Sequence, residues 1–131
     1  MEPAPRHQAR ERALTLLYEA ELKGRPPSEV VDELLMAPDA YTTMLVRTVE
    51  SRGSEIDGLI DDAAIDWDIQ RMAVVDRNVL RLAVAELLEC PEVPVPVILN
   101  EAVELASAYS TDDSGRFVNG VLATLADQIR G

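Results

Sequence analysis

Cysteine and histidine are almost missing from this sequence. The one cysteine, Cys90, has no second thiol to pair with and cannot build a zinc site alone. The one histidine, His7, sits near a terminus that ordinarily frays, a poor place for a Ser-His-Asp or Cys-His arrangement. The six glycines, at 24, 53, 58, 115, 120 and 131, form neither GxGxxG nor a phosphate-cradling loop followed by Lys and Ser/Thr. No apolar run approaches the roughly 20 residues of a membrane helix. The opening MEPAPRHQARER lacks the apolar centre of a secretory signal. These absences leave a chain expected in the reducing cytoplasm, with no membrane, no metal and no cofactor. They also leave no catalytic motif. Twenty-four Asp and Glu residues always allow a carboxylate pair, but nothing selects one, so no enzyme activity is expected.

What is present is a sequence of 131 residues, 47% hydrophobic, with a mean hydropathy of −0.02. That composition suits one globular domain over 1–131, not a disordered acidic tail. The net charge is −12. Phosphate neutralisation supplies most affinity for nucleic acid, so this sign alone argues against such a ligand. The distribution argues the other way. Residues 1–25 carry five basic groups against four acidic, whereas 26–131 carry seven against twenty. Cations thus gather at one end of an acidic body, which suits two partners of opposite charge.

Periodicity is helical throughout. One helix is expected from Arg6 to Lys23, stopped by Gly24. A short second follows with Ser28 as N-cap, and Pro38-Asp39 opens a third. Gly53-Ser54 breaks the third, with Ser54 capping a fourth. A turn near Trp67–Met72 then leads into Val75–Glu89, whose apolar positions leave a narrow polar wedge of Arg77, Asn78, Arg81 and Glu89 on the wheel. That segment is expected at the centre. Pro91, Pro94 and Pro96 lead into Val97–Tyr109. After the cap segment Ser110–Asp113, a last helix carries Val118, Val121, Leu122, Leu125, Ala126 and Ile129 on one stripe. The fold class is all-α: about seven helices in two small bundles packed together.

Three features fit a plain bundle poorly. Arg6 and Arg10 project within about 60° of Ala13 and Leu17, so the core stripe of the first helix turns cationic. This is either a helix end reaching into water or a phosphate-binding arm, flanked by His7 and Arg12 with Tyr18 two turns on. Phe117, the only phenylalanine, lies about 100° off the last stripe, with Arg116 before it. It is either an edge residue or a platform for an unpaired base. Asp76 opens the most apolar helix, either as a first-turn carboxylate or, with Asp113, as a contact for a basic partner. Gly120 in mid-helix is expected to mark close approach of a neighbouring helix.

The segments RHQARERALTLLYEAE at 6–21, VDRNVLRLAVAELL at 75–88, VPVPVILNEAVELA at 93–106 and STDDSGRFVNGVL at 110–122 resemble the NusB family of bacterial transcription antitermination factors. The likeness runs in order from residue 6 to about 125. It implies a helical, non-catalytic RNA-binding protein. It further implies pairing with the ribosomal protein NusE, binding of the boxA element of nascent ribosomal-RNA leaders, and support of the elongating RNA polymerase. By position, Arg6, His7, Arg10, Tyr18, Arg116 and Phe117 match the family's RNA-facing segments, and Asp76 and Asp113 match its NusE-facing side. Relatives carry a denser N-terminal basic run than the Arg6, Arg10 and Arg12 found here. Some self-associate over the RNA arm, so monomer and homodimer both stay open. A related domain is fused to a ribosomal-RNA methyltransferase, but 131 residues hold no cofactor-binding sheet. On this reading the arginines and Phe117 form one landing pad making three phosphate contacts, with a salt slope of about −2. The alternatives are a helical adaptor that contacts only proteins, and a homodimer whose RNA arm is covered.

Overall fold

The computed structural model describes residues 6–131; Glu2 and the other residues before Arg6 lie outside it. Seven α-helices follow one another: α1 (Arg6–Lys23), α2 (Pro27–Asp32), α3 (Ala40–Ser51), α4 (Gly53–Ala63), α5 (Val74–Glu89), α6 (Val95–Tyr109) and α7 (Asp112–Arg130). A 3-10 turn, Ile69–Arg71, precedes α5. No strand occurs among the described residues, and no helix among them is long and apolar enough to cross a membrane.

Local chemistry explains most boundaries. Gly24 adopts φ 63, which lets Arg25 N–H reach back 3.0 Å to the Ala20 carbonyl and close α1. Asp39 caps α3, accepting from the Tyr41 and Thr42 N–H groups. Thr111 caps α7 by accepting from Ser114 N–H. Arg130, at the far end of α7, donates to the carbonyls of Glu86, Leu87, Cys90 and Val93 and so caps the C-terminal end of α5 and the turn after it. The two serine caps expected earlier in the chain are absent. Helix α2 starts at Pro27, and Ser28 gives both its N–H and its hydroxyl to Glu50 on α3 at 2.9 Å. Helix α4 starts at Gly53, behind Arg52, with no side-chain cap.

Helix α5 is the central element and packs against α1, α3, α4, α6 and α7. Val79, Leu80, Leu82, Ala83, Val84, Ala85 and Leu87 are all buried along it, as its apolar circumference requires. Three polar residues go in with them, Asp76, Asn78 and Glu86. Helix α1 runs antiparallel to α5: Arg10 meets Glu86 near one end, and Glu21 meets Arg77 and Arg81 near the other. Arg81 also forks onto Asp57 at 2.9 and 3.0 Å, so one ion network joins α1, α4 and α5. Gly120 is not a close-approach residue, because nothing lies within 4 Å of where its Cβ would stand. The tight glycine is Gly115, whose Cβ would press on Ser107 Oγ and sit 3.4 Å from Val103 Cγ1. Helices α6 and α7 meet there.

Candidate nucleic-acid interface

The cationic end of α1 is built by three residues with three different fates. Arg6 is half exposed, stands over the Tyr41 ring at 5.1 Å and reaches Glu92 at 4.0 Å. His7 Nδ1 lies 2.7 Å from Glu101 Oε2. That hydrogen bond, then the charges of Glu101, Glu11 and Glu104, hold the imidazole above its ordinary pKa, favouring the cation. Arg10 is buried, contrary to its expected place on an exposed phosphate pad. It forks onto Glu86 through Nε at 2.8 Å and Nη2 at 2.5 Å, while Tyr41 Oη donates to the same carboxylate at 2.5 Å. A buried guanidinium forked onto one carboxylate, with Nη1 3.7 Å from a second, is out of reach of a phosphate and has its charge already matched.

The start of α7 is built differently. Arg116 is 75% exposed and pairs with the equally open Asp113 one turn before it. Phe117 is half-buried, its ring lying against the core, with Trp67 beside it. Trp67 and Ile65 come from the loop after α4 and are exposed, Ile65 to 90%. Two grooves flank the aromatic pair. One is lined by Trp67, Arg71, Met72, Asp76, Asp113 and Phe117, the other by Ile65, Trp67, Arg116, Phe117 and Gly120. Asp76 forms part of the first groove and is itself buried. Its Oδ2 accepts from Ser114 Oγ at 3.1 Å, and its Oδ1 has no hydrogen-bond partner. Burial pushes this carboxyl above the ordinary carboxylate range, against the pull of the Ser114 bond.

The six residues expected to meet RNA therefore do not share one pad. Arg10 stands at Glu86 and the start of α7 at Asp76, ten residues apart on α5, or about 15 Å along its axis. Tyr18 falls between them in a useful way. It is eleven residues beyond His7, so both project from the same outer stripe of α1. Tyr18 is exposed, and α1 carries it toward the end of α5 where Phe117 lies. The cationic start of α1 and the aromatic start of α7 thus mark the two ends of a candidate track, with Tyr18 exposed on α1. Sequence reasoning missed Trp67, Arg71 and Tyr109, which line grooves here. Their signal was weak, since each sits in or beside a loop outside any periodic stripe. Among the described residues Arg12 and Arg71 are the arginines that form no ion pair and no side-chain hydrogen bond, which leaves their donors available.

His7, Glu101 and Glu104 bring three ligand atoms within 4.8 Å of one another. Glu101 Oε2 is already shared by His7 and, at 3.7 Å, by Arg10 Nη1, so the group is an ion-pair cluster centred on the Glu101 carboxylate. Cys90 is buried beside Tyr41, and burial raises its thiol pKa, which makes it a poor nucleophile.

Known proteins resemble the chain along nearly its whole length. Three relatives bear the name transcription antitermination protein NusB. The one from Acidothermus cellulolyticus is 46% identical, over 92% of this chain and 86% of its own. That from Thermobifida fusca is 42% identical over 94% and 89%, and that from Salinispora tropica 46% over 93% and 95%. Among solved structures, NusB of T. maritima superposes with a TM-score of 0.88 at 33% identity, covering 97% of this chain and 94% of that one. A structure of the antitermination factors NusB and NusE in complex with double-stranded RNA matches with a TM-score of 0.79 at 34% identity, over 94% and 96%. Residues 7–127 match the NusB family, a family of transcription factors, and the chain belongs to it.

Proposed function

We propose that this protein is a cytoplasmic, non-catalytic antitermination factor. It pairs with ribosomal protein NusE, binds the boxA element of nascent ribosomal-RNA leaders and supports the elongating RNA polymerase. The observation that carries this reading is the start of α7, where an aromatic pair, Phe117 and Trp67, stands beside an open arginine and above a buried carboxylate with one unpartnered oxygen. Bases stack on such rings whatever their identity, and the flanking guanidinium fixes the backbone. The unpartnered Asp76 oxygen and the exposed Asp113 supply what a basic protein partner requires. A relative solved with both NusE and RNA supports the pairing of these two ligands.

In this reading RNA runs along the track from Arg6 and His7, past Tyr18, to Arg116 and Phe117, while NusE docks at Asp76 and Asp113. With Arg10 buried, two arginines of the six residues, Arg6 and Arg116, remain for phosphates. The chain alone should therefore show a salt slope of about −1.4 on single-stranded RNA.

Fluorescence anisotropy of boxA RNA tests this, with and without NusE and across salt. Weak binding by the chain alone is expected, tightening when NusE is added. Phe117→Leu keeps the apolar contact with the core and removes the ring; it should lose about 5- to 150-fold in RNA affinity. Unchanged RNA binding in Phe117→Leu would favour the protein-only adaptor instead.

A further inference from the structure

The cations at the start of α1 are already occupied. Arg6 faces Glu92 and His7 is hydrogen-bonded to Glu101. Glu101 and Glu104 are three residues apart on α6 and share one face, so two carboxylates confront His7 across the gap between the helices. Glu101 itself is only a fifth exposed and is fixed from behind by Arg10 Nη1 at 3.7 Å. Arg10 is in turn locked onto Glu86. The carboxylate that His7 meets is thus a positioned group, not a loose surface side chain.

A carboxylate and a phosphate compete for the same N–H donors. We infer that Glu101, seconded by Glu104 and Glu92, acts as an internal phosphate mimic that holds the α1 cations until an RNA backbone displaces it. The inference rests on the RNA-binding reading above and adds residues that set the affinity of that site. Exposed ion pairs are weak, so a strand already anchored on the α7 aromatics exchanges them readily. A strand without that anchor must break the same pairs and then meet the acidic body. The carboxylates therefore favour RNA that engages both ends of the track.

The experiment compares RNA affinity of the full chain with NusE for wild type, Glu104→Gln, Glu101→Gln/Glu104→Gln and Glu33→Gln. The double variant should bind boxA RNA about 2- to 10-fold more tightly, and a scrambled RNA more tightly by at least as much. Glu33→Gln removes one carboxylate charge, as Glu104→Gln does, and breaks one of the two ion pairs of Arg25 near the other end of α1, leaving the one with Glu29; it should change RNA affinity by less than about 2-fold. Glu104→Gln touches neither Arg10 nor Glu86, so its smaller gain guards against a loosened α1 in the double variant. Equal or weaker RNA binding by both α6 variants overturns the inference, as does an equal gain in Glu33→Gln. If Phe117→Leu also leaves RNA binding intact, the RNA-binding reading itself has failed. If Phe117→Leu loses RNA while the glutamine variants gain nothing, only the internal mimic is wrong.

Discussion

Two buried carboxylates sit on α5, Glu86 near its end and Asp76 at its start, and they are served in opposite ways. Glu86 accepts from Arg10 twice and from Tyr41 once. Asp76 accepts once, from Ser114, and its second oxygen has no partner. A buried charge with full partners is part of the scaffold, whereas one left half-paired keeps a cost that a ligand can relieve. The helix thus carries a structural end, which ties down α1, and an end whose half-paired carboxylate lines the groove beside Phe117, the receptive end in the proposed function.

The largest effect should come from breaking the structural end. Arg10→Ala leaves Glu86 buried beside Tyr41 with its countercharge gone and should destabilise the chain by about 3–5 kcal/mol in urea unfolding. Arg10→Lys keeps the charge but loses the fork and should recover only part of this. A loss below about 1 kcal/mol would place Arg10 among the exposed cations after all.

The receptive end should respond with the opposite sign. Asp76→Asn removes a poorly solvated charge and should stabilise the free protein by about 1 kcal/mol at neutral pH. The same change should weaken NusE binding by about tenfold or more, because a partner cation would lose its counterion. The pH dependence follows from the raised carboxyl pKa. Below the ordinary carboxylate value, about 3.9, Asp76 is protonated both folded and unfolded, and it carries no penalty. As pH rises through the raised folded value, the unfolded chain loses its proton first and the folded state falls behind. The stability gap between Asp76→Asn and wild type should therefore be small near pH 3 and open toward pH 7, as thermal melts across that range would show. A gap that stays constant would mean the Asp76 charge is well solvated.

These two residues also show what the sequence can and cannot tell. All seven helices were legible, because apolar spacing, Gly24, Asp39 and the proline cluster after α5 act locally. The central place of α5 followed from an apolar surface too wide for one neighbour. The serine caps at 28 and 54 were misplaced because capping depends on which partner arrives, and for Ser28 that partner is Glu50, twenty-two residues on. Close approach was expected at Gly120 and falls instead at Gly115 for the same reason, since it is a property of two helices. At the site, the residues were legible but their grouping was not. Arg6 and Arg10 differ by about 40° on the helix wheel, and only the approach of Glu86 decides that one is buried and the other half exposed.

That pair, one turn apart on α1, allows the comparison to be drawn at its finest. Arg6→Ala gives up a 4.0 Å surface pair with Glu92 and a contact with the Tyr41 ring, so its loss of stability should stay below about 1 kcal/mol. Its RNA affinity should fall modestly, and the salt slope of the chain should become shallower by about 0.7 as one phosphate contact disappears. Arg10→Gln should do the reverse, lowering stability while leaving the slope of the folded fraction unchanged, since the charge it removes is spent on Glu86. Salt titrations of both variants, at a temperature where each is folded, decide the matter. A slope that changes with Arg10 and not with Arg6 would move the phosphate contact one turn into α1, and Glu86 would then have to release its guanidinium when RNA binds.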